Sequence, residues 1–266
     1  MNDKLPNDKL YARYAPYYDL LYDNKNYIAE TKFVDQRLRN EGSRRGEMLE
    51  LGCGTGRHAQ GLSALGWKVH GYDLSPGMVA RARTRAKRNP RGTRPRFDVG
   101  DMRSLRAGKT FDAVISLFHA FCYQATNAQL RDALETVAIH LKPGGLFFFD
   151  FWFGPAVLSD PPVTRVKRVE NARLAVTRIS EPLLELECNV VNVKFDVAVE
   201  EKRTRRVEHI YEQHRVRYLF LPELEHLLDL HGFQLLAHGR WMSNAALDAT
   251  SWYGWLTARH IAKSSR

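Results

Sequence analysis

A short apolar run that breaks into alternating glycines constrains this chain more than any other stretch. Residues 48–51 are apolar except for Glu50, and glycines follow at positions 52, 54 and 56. A helical pattern begins directly after them, at about Arg57. Glycines at a strand-to-helix turn allow positive φ and a close approach to a ligand, and the first N–H groups of the next helix lack an intrahelical partner. The stretch predicts an open α/β sheet with a ligand crevice at the carboxyl ends of its strands.

Length and composition fit a globular α/β protein and exclude membrane-spanning and secreted classes. The chain has 266 residues, of which 44% are hydrophobic, which suits one α/β domain with an insertion. No apolar run approaches the roughly 20 residues of a membrane helix, and the N-terminus lacks the apolar core of a signal peptide. Cys53, Cys122 and Cys188 are far apart, odd in number and without metal-ligand spacing. We therefore expect a cytoplasmic protein with free thiols, no membrane contact and no metal.

Two further strand ends carry residues that suit a nucleoside. Residues 68–73 predict a second strand ending in Asp73, about 20 residues beyond the glycines, where nucleotide-binding βαβ units place a carboxylate that accepts from ribose hydroxyls. Residues 96–103 predict a third strand ending in Asp101 and Met102. A carboxylate can accept a hydrogen bond from the adenine amino group while a methionine packs on the ring. This pair therefore suits an adenine.

The fourth and fifth strands end in residues with acid–base and aromatic side chains. Residues 111–119 predict a nearly all-apolar strand with Leu117 and His119 at its tip, and residues 146–152 predict a strand ending in Asp150 and Trp152. His119 is either a general base or a residue that only packs or binds water, and Asp150 is the rival proton acceptor. Trp152 could pack against a sugar face or a nucleobase.

The remaining parts of the chain predict flanking helices and a region of different texture. Tyrosines at positions 11, 14, 18 and 22 have helical spacing, which fits either an amphipathic helix with tyrosines in its core or a lid over a cofactor. A second helix is expected at about residues 27–40. Residues 154–217 are mostly β-branched or alternating, which predicts three or four antiparallel strands. A helix at 221–232 and strands at 234–241 and 252–258 close the chain.

A basic run follows the second strand. Residues 81–96 contain eight lysines and arginines, on and after a helix that Ser75 and Pro76 are expected to open. The run fits a solvated helix face, or a track for phosphate or RNA. The formal net charge of +10 favours anionic partners without choosing among them.

Five motifs stand in order at regular intervals: Glu50-Leu-Gly-Cys-Gly-Thr-Gly56, Asp73-Leu-Ser75, Gly100-Asp-Met-Arg103, Phe111-Asp-Ala-Val and Leu141-Lys-Pro-Gly-Gly145. Together they resemble the motifs of class I S-adenosylmethionine-dependent methyltransferases. The resemblance implies an α/β fold with a Rossmann-like, seven-stranded methyltransferase sheet. It further implies an N-terminal helical lid at residues 1–46, a cofactor-binding α/β core at 47–153, an inserted antiparallel β subdomain at 154–217, and a C-terminal helix and strands at 218–266 that complete the core.

The same resemblance implies roles for individual residues. The glycine loop would hold the methionyl part of the cofactor, Asp73 the ribose, and Asp101 with Met102 the adenine. The residues expected to bind S-adenosyl-L-methionine, or its product S-adenosyl-L-homocysteine, are Tyr22, Glu50, Gly52, Gly54, Gly56, Asp73, Leu74, Asp101, Met102 and Leu117.

A narrower resemblance concerns the substrate. Tyr18-Asp-Leu-Leu-Tyr22, Gly100-Asp-Met-Arg103 and Trp152 after the fifth strand are similar to enzymes that N-methylate amino sugars carried on a nucleoside diphosphate. The resemblance implies that Tyr22 lies beside the reactive end of the cofactor. Together with the chemistry of the strand tips, this predicts His119 and Tyr22 as catalytic residues and Tyr18, Asp150 and Trp152 as substrate-binding residues. Basic residues of the insertion could meet a diphosphate, and they are Arg165, Lys167, Arg203 and Arg205.

Three functions remain as hypotheses. The first is methyl transfer to a small, anionic metabolite such as the amino group of a nucleotide-linked sugar, with nucleic acid an unexpected partner and a homodimer a further hypothesis. The second is an RNA or protein methyltransferase that uses the basic run at residues 81–96. The third is a non-catalytic S-adenosylmethionine-binding module.

Overall fold

A computed structural model describes residues 15–90, 92 and 94–261, apart from the side chain of Pro16. Seven α-helices lie within these residues: α1 (Ala15–Leu21), α2 (Tyr27–Asn40), α3 (Arg57–Ala64), α4 (Pro76–Ala86), α5 (Asn127–His140), α6 (Gly154–Ser159) and α7 (Leu221–Leu230). Eleven strands accompany them: β1 (Glu47–Leu51), β2 (Lys68–Asp73), β3 (Arg96–Val99), β4 (Phe111–Ser116), β5 (Leu141–Trp152), β6 (Arg165–Glu170), β7 (Leu174–Glu185), β8 (Val190–Glu201), β9 (Arg206–Arg217), β10 (Phe233–Arg240) and β11 (Tyr253–His260).

Seven strands form one sheet in the order β10-β11-β5-β4-β1-β2-β3. Strands β1 to β5 are parallel to their neighbours among themselves, whereas β11 runs antiparallel to both β5 and β10. The strand order reverses at β1, and such a reversal opens a crevice at the carboxyl ends of the strands. The sheet confirms the predicted seven-stranded, Rossmann-like α/β fold.

Both faces of this sheet are covered, because successive side chains of a strand point to opposite faces. In β5, Phe147 and Phe149 join a core formed with helices α5 and α7. Phe148, between them, joins the opposite core, formed with helices α2, α3 and α4. This double burial explains why the middle strands are nearly all apolar.

The remaining four strands form a second, antiparallel sheet in the order β6-β7-β8-β9. Three of these strands have 12 residues each and are paired along most of their length. Helix α1 packs on this sheet through Leu21, which is fully buried with Val176, Val197 and Ile210. The tyrosines of α1 therefore lie next to the second sheet.

Several boundaries differ from the sequence-based expectations. Strand β3 ends at Val99, so that Asp101 and Met102 lie in the loop beyond it, and β4 ends at Ser116 because Phe118 and His119 adopt positive φ of 59° and 61°. Helix α6 was not expected within the β-rich region. Tyr11 and Tyr14 lie outside the described residues.

No helix of the described ranges is both long and apolar enough to span a membrane.

Candidate functional site

The glycine loop after β1 has the conformation that its sequence predicts. Gly52, Gly54 and Gly56 adopt φ of +77°, +53° and +76°. A Cβ at Gly52 would lie 2.5 Å from that of Ala120, and one at Gly56 would lie 2.6 Å from the Phe97 ring. A Cβ at Gly54 would meet nothing within 4 Å. Two of the glycines are therefore required by packing, and the third borders open space into which a ligand can fit.

Asp73 connects the end of β2 to this loop. Its Oδ2 accepts the Gly54 N–H at 2.8 Å, and its Oδ1 accepts the Ser75 N–H at 2.8 Å. Burial raises the pKa of the Asp73 carboxyl, although both N–H donors act in the opposite direction. Leu74 follows as a half-buried residue, and Ser75 caps α4 by accepting the Met78 N–H. Each oxygen of Asp73 has lone pairs left for hydroxyl donors.

Glu50 lies beneath the loop, inside β1. Only 1% of its surface is exposed, and its Oε2 has no hydrogen-bond partner among the described residues. Burial, and then the nearby carboxyl of Asp73, raise the pKa of Glu50 to about 8, although the Ala59 N–H acts against this. A buried acid with an unpaired oxygen beside a glycine loop leaves a hydrogen-bond acceptor for a donor group of a ligand.

Asp101 and Met102 lie beyond β3, next to the glycine loop. Asp101 forms an ion pair with Arg103, the last residue of the Gly100-Asp-Met-Arg103 motif, to which the sequence assigned no role of its own. Burial acts to raise the pKa of Asp101, but the hydrogen bonds from Arg103 outweigh it, so the pKa lies below its ordinary value. The Met102 methyl lies 3.5 Å from the position of a Cβ on Gly52. The residues expected to bind the adenine and those expected to bind the methionyl part of the cofactor therefore lie at one end of the sheet.

His119 and Asp150 meet at the tips of β4 and β5. The His119 backbone N–H donates to Asp150 Oδ1 at 3.1 Å. His119 Nδ1 lies 2.8 Å from Asp150 Oδ2, within ion-pair distance but not aligned as a hydrogen bond. Asp150 is 1% exposed, and the His119 ring stacks on Tyr253 at 4.6 Å. The two rival proton acceptors of the sequence analysis thus form one unit, and Leu117 beside them is buried.

Aromatic residues surround this unit. Trp152, whose indole N–H is buried without a hydrogen-bond partner among the described residues, has its ring 6.3 Å from the His119 ring. On α1, the Tyr22 ring lies 5.0 Å from that of Phe118 and 4.7 Å from that of Tyr18. Such walls exclude water and can hold the apolar face of a sugar or base.

The second sheet adds cations to the same region. Arg178 Nη1 donates to the Tyr22 hydroxyl at 2.9 Å, and Lys167 Nζ lies 5.3 Å from the centre of the Tyr22 ring. Burial, and then the charge of Arg178, lower the pKa of Lys167. Arg165 is close enough to Tyr253 to act on its hydroxyl electrostatically. Three cationic side chains of β6 and β7 therefore approach the tyrosines of the site.

The remaining basic residues have other positions. Arg203 and Arg205 lie exposed in the turn after β8, where Arg205 pairs with Glu200 at 2.7 Å. Of the basic run at residues 81–96, Arg83 binds Asp98 at 2.5 Å, and Arg85 binds Asp19 at 2.6 Å. Part of this run is therefore used in bonds within the chain.

Sequence reasoning missed Arg178 and Tyr253. Arg178 lies in an alternating strand in which the facing direction depends on the pairing register with β6 and β8. Tyr253 begins the last strand, and its place beside His119 results from the antiparallel pairing of Tyr253 with Trp152. No local pattern reports such pairings, although the alternation in β7 could have indicated that Val176 and Arg178 share a face.

Comparison with known proteins agrees with this geometry. Residues 48–145 match the family model described as a methyltransferase domain. A dTDP-3-amino-3,4,6-trideoxy-alpha-D-glucopyranose N,N-dimethyltransferase from Streptomyces venezuelae is 31% identical over 200 residues, which are 74% of this chain and 81% of that protein. A dTDP-3-amino-3,6-dideoxy-alpha-D-glucopyranose N,N-dimethyltransferase from Streptomyces fradiae is 31% identical over 204 residues, 76% of each chain.

Solved structures share the fold. An S-adenosylmethionine-dependent methyltransferase from Clostridium acetobutylicum superposes with a TM-score of 0.80 at 20% identity, over 95% of this chain and 100% of that one. A sugar N-methyltransferase from a Streptoalloteichus species superposes with a TM-score of 0.75 at 23% identity, over 92% and 93% of the two chains. The relatives in sequence and the motifs assembled at the strand ends show that the chain belongs to the class I S-adenosylmethionine-dependent methyltransferases.

Proposed function

We propose that this enzyme transfers a methyl group from S-adenosylmethionine to the amino nitrogen of a sugar carried on a nucleoside diphosphate. One observation carries the proposal. The His119–Asp150 pair lies in the same region as the Tyr22 ring, which the cations of the second sheet contact. The two curated relatives, which act on dTDP-linked amino sugars by their names, support the same substrate class.

The residues at the strand ends fit the cofactor. Open space at Gly54 would accommodate its amino-acid part, Asp73 would accept from the ribose, and Asp101 with Met102 would hold the adenine. The buried Glu50 would offer its unpaired Oε2 to a donor group of the cofactor, while Leu74 and Leu117 would contribute apolar contacts. When bound, S-adenosylmethionine supplies an electrophilic methyl group, so the protein has to position the acceptor and exclude water.

The chain handles the proton of the amine through His119. An amine attacks in its neutral form, so a protonated amine must first lose a proton to a nearby acceptor. The Asp150 carboxylate accepts from the His119 backbone N–H and lies 2.8 Å from Nδ1 of the ring, and the stack on Tyr253 fixes the plane of that ring. Tyr22, held by Arg178, orients the acceptor from the opposite side.

The substrate is held by aromatic and cationic side chains. Tyr18 and Trp152 pack on the sugar, while Arg178 and Lys167 bind the diphosphate. Charge-assisted bonds of this kind contribute about 1.5–3 kcal/mol each. An anionic substrate also suits the net charge of +10.

Methyl transfer to dTDP-linked amino sugars, followed by mass spectrometry, tests the proposal. Lys167→Met should raise the KM for the nucleotide-linked sugar by roughly tenfold and leave the KM for the free amino sugar unchanged. Arg203→Met, in the turn after β8, is the matched control and should change neither KM. Absence of methyl transfer to any nucleotide-linked amino sugar, or equal effects of the two variants, would contradict this substrate.

Location and assembly belong to the same proposal. The thiols of Cys53, Cys122 and Cys188 are free, which suits a cytoplasmic setting. On the outer face of the second sheet, Leu183 and Tyr211 are exposed by 62% and 73%, and a second copy could cover them. Sedimentation of wild type and Tyr211→Lys tests the homodimer, since a dimer through this face should dissociate in the variant.

A further inference from the structure

An ion cluster lies beside the glycine loop, outside the residues assigned so far. It consists of Lys25, in the turn between α1 and α2, Glu30 in the first turn of α2, and His58 in the first turn of α3, and is called the Lys25 cluster below. Glu30 Oε1 accepts from Lys25 Nζ, and Glu30 Oε2 lies 2.7 Å from His58 Nε2. Glu30 is 7% exposed, and the Lys25 side chain is 15% exposed.

The cluster holds a cation in an aromatic setting. Lys25 Nζ lies 4.1 Å from the centre of the Phe118 ring and 5.5 Å from that of Tyr27. Burial acts to raise the pKa of Glu30, but its bonds to His58 and Lys25 outweigh burial and lower it, so the acid stays charged and holds the ammonium in place. An ammonium group has three N–H donors, and Glu30 accepts one of them.

The position of the cluster follows from the sheet order. Strands β4, β1, β2 and β3 are neighbours, so their tips form one row. With adenine at the tip of β3 and ribose at that of β2, the amino-acid end of the cofactor would extend over the glycine loop towards β4. Lys25 Nζ lies over the ring of Phe118, which follows β4, and its partner Glu30 binds His58, which follows the glycine loop. Lys25 Nζ therefore lies at the β4 end of the row.

The nearest other cation on α3 is directed elsewhere. Arg57 Nε binds Asp19 at 3.2 Å, and Arg57 Nη2 binds Asp23 at 3.2 Å. Lys25, in contrast, has N–H donors beyond the one that Glu30 accepts, so its ammonium can bind a ligand at the β4 end of the loop. The amino-acid end of the cofactor carries a carboxylate, and a nearby cation stabilises a carboxylate at a partly buried site.

We propose that Lys25 binds the carboxylate of the cofactor's amino-acid end, and that Glu30 and His58 position Lys25 for it. The inference rests on the cofactor orientation given under the proposed function, and it is independent of the methyl acceptor.

Calorimetry with two ligands tests the assignment. S-adenosylhomocysteine has the amino-acid end, whereas 5′-methylthioadenosine has the same nucleoside and sulfur without it. Lys25→Met should weaken binding of S-adenosylhomocysteine by about tenfold or more, as expected for loss of one charge-assisted bond. The same variant should bind methylthioadenosine within about twofold of wild type, because that ligand has no carboxylate to lose.

Three controls make the test decisive. Lys32→Met removes an exposed lysine of α2 and should change neither affinity. Lys25→Arg keeps the charge and should retain most of the S-adenosylhomocysteine affinity. Lys25→Gln, a shorter polar replacement, serves where the methionine variant does not fold.

Two results would overturn the assignment: unchanged affinity of the Lys25 variants for S-adenosylhomocysteine, or equal losses for both ligands. A selective loss in a protein that methylates no amino sugar would support the role of Lys25 while removing the proposed substrate.

Discussion

Protonation of Glu50 should have a large effect on the stability of the molecule. Its pKa is about 8 in the folded protein, against an ordinary value of 4.5. Between these values the folded state holds a proton that the unfolded state has lost, so the free energy of unfolding decreases as the pH rises from about 4.5 to about 8. Each unit of pKa difference corresponds to about 1.4 kcal/mol.

Glu50→Gln should remove this pH dependence. The variant should melt above wild type at pH 8.5 by roughly 5 °C or more, with a smaller difference at pH 5, and scanning calorimetry at both pH values measures it. Glu47→Gln is the matched control on the same strand. Lys109 lowers the pKa of Glu47, so its replacement should not raise the melting temperature at pH 8.5. A Glu50→Gln effect that is independent of pH would contradict the ionisation argument.

Single residues differ in how well the sequence predicts them. Asp73 and the three glycines follow from local spacing, because the turn and the strand end define their geometry. His119 and Asp150 were predicted separately as rivals, and only the pairing of β4 with β5 brings them together. The ion pair between Asp101 and Arg103 depends on a loop conformation that begins when β3 ends at Val99. Pairwise roles therefore require tertiary structure even where each residue is identified correctly.

At the scale of elements, the glycine loop offers a comparison between two glycines in open space. Gly54 and Gly42 have φ of +53° and +83°, and a Cβ at either would meet nothing within 4 Å. Replacement by alanine should cost about 1–2 kcal/mol of stability at both positions, because of the left-handed backbone. Only Gly54 borders the cofactor site, so only Gly54→Ala should also weaken S-adenosylhomocysteine binding, measured by calorimetry. Equal binding losses in both variants would refute the role of the loop.

Helix α1 is attached to the loop through Asp19. Asp19 accepts from Thr55 Oγ1 at 2.8 Å, Arg57 Nε at 3.2 Å and Arg85 Nη2 at 2.6 Å. Asp19→Asn should lower the free energy of unfolding by about 1.5–3 kcal/mol and raise the substrate KM, since α1 carries Tyr18 and Tyr22. Asp23→Asn, whose carboxylate is 74% exposed, should cost less than about 0.5 kcal/mol in a urea titration. Similar costs for both variants would show that Asp19 does not hold α1.

Element boundaries were predictable where local chemistry defines them. Ser75 and Pro76 correctly marked the start of α4, because a hydroxyl cap and a proline in the first turn act within a few residues. The tips of β3 and β4 were predicted too long, since apolar residues continue past the point where pairing stops. Phe118 and His119 leave the strand by adopting positive φ, which no residue type there indicates.

For the whole molecule, the sequence predicted two sheets but not how they join. Pairing places Lys167 opposite Arg178, and Arg165 opposite Ser180, so these residues share one face of the second sheet. On β9 of the same sheet, Glu212 and His214 lie opposite Phe195 and Val193. The alternation of each strand was visible in the sequence, whereas the register that aligns charges across strands depends on long-range pairing.

A buried hydrogen-bond chain connects the second sheet to the 3₁₀ helix that follows β4. The Tyr123 hydroxyl, in the 3₁₀ helix Ala120–Tyr123 after His119, lies 2.9 Å from His214 Nδ1, and His214 Nε2 lies 2.9 Å from Glu212 Oε2. His214 is 1% exposed. Because one ring nitrogen binds the 3₁₀ helix that follows His119 and the other binds Glu212 of β9, the loss of His214 should loosen the segment that carries His119.

His214→Phe keeps an aromatic ring and removes both bonds, so the free energy of unfolding should fall by about 1–3 kcal/mol in urea titrations. His209→Phe, on the opposite face of β9 with a side chain 50% exposed, is the matched control and should change it by less than about 0.5 kcal/mol. If the Tyr123 bond carries part of the effect, Tyr123→Phe and His214→Phe should be non-additive by at least about 0.5 kcal/mol in the double variant. Additivity would mean that the Tyr123–His214 bond carries no part of the effect. A non-additive result together with a lowered kcat at unchanged cofactor affinity would indicate that the second sheet holds the His119 segment in its working position.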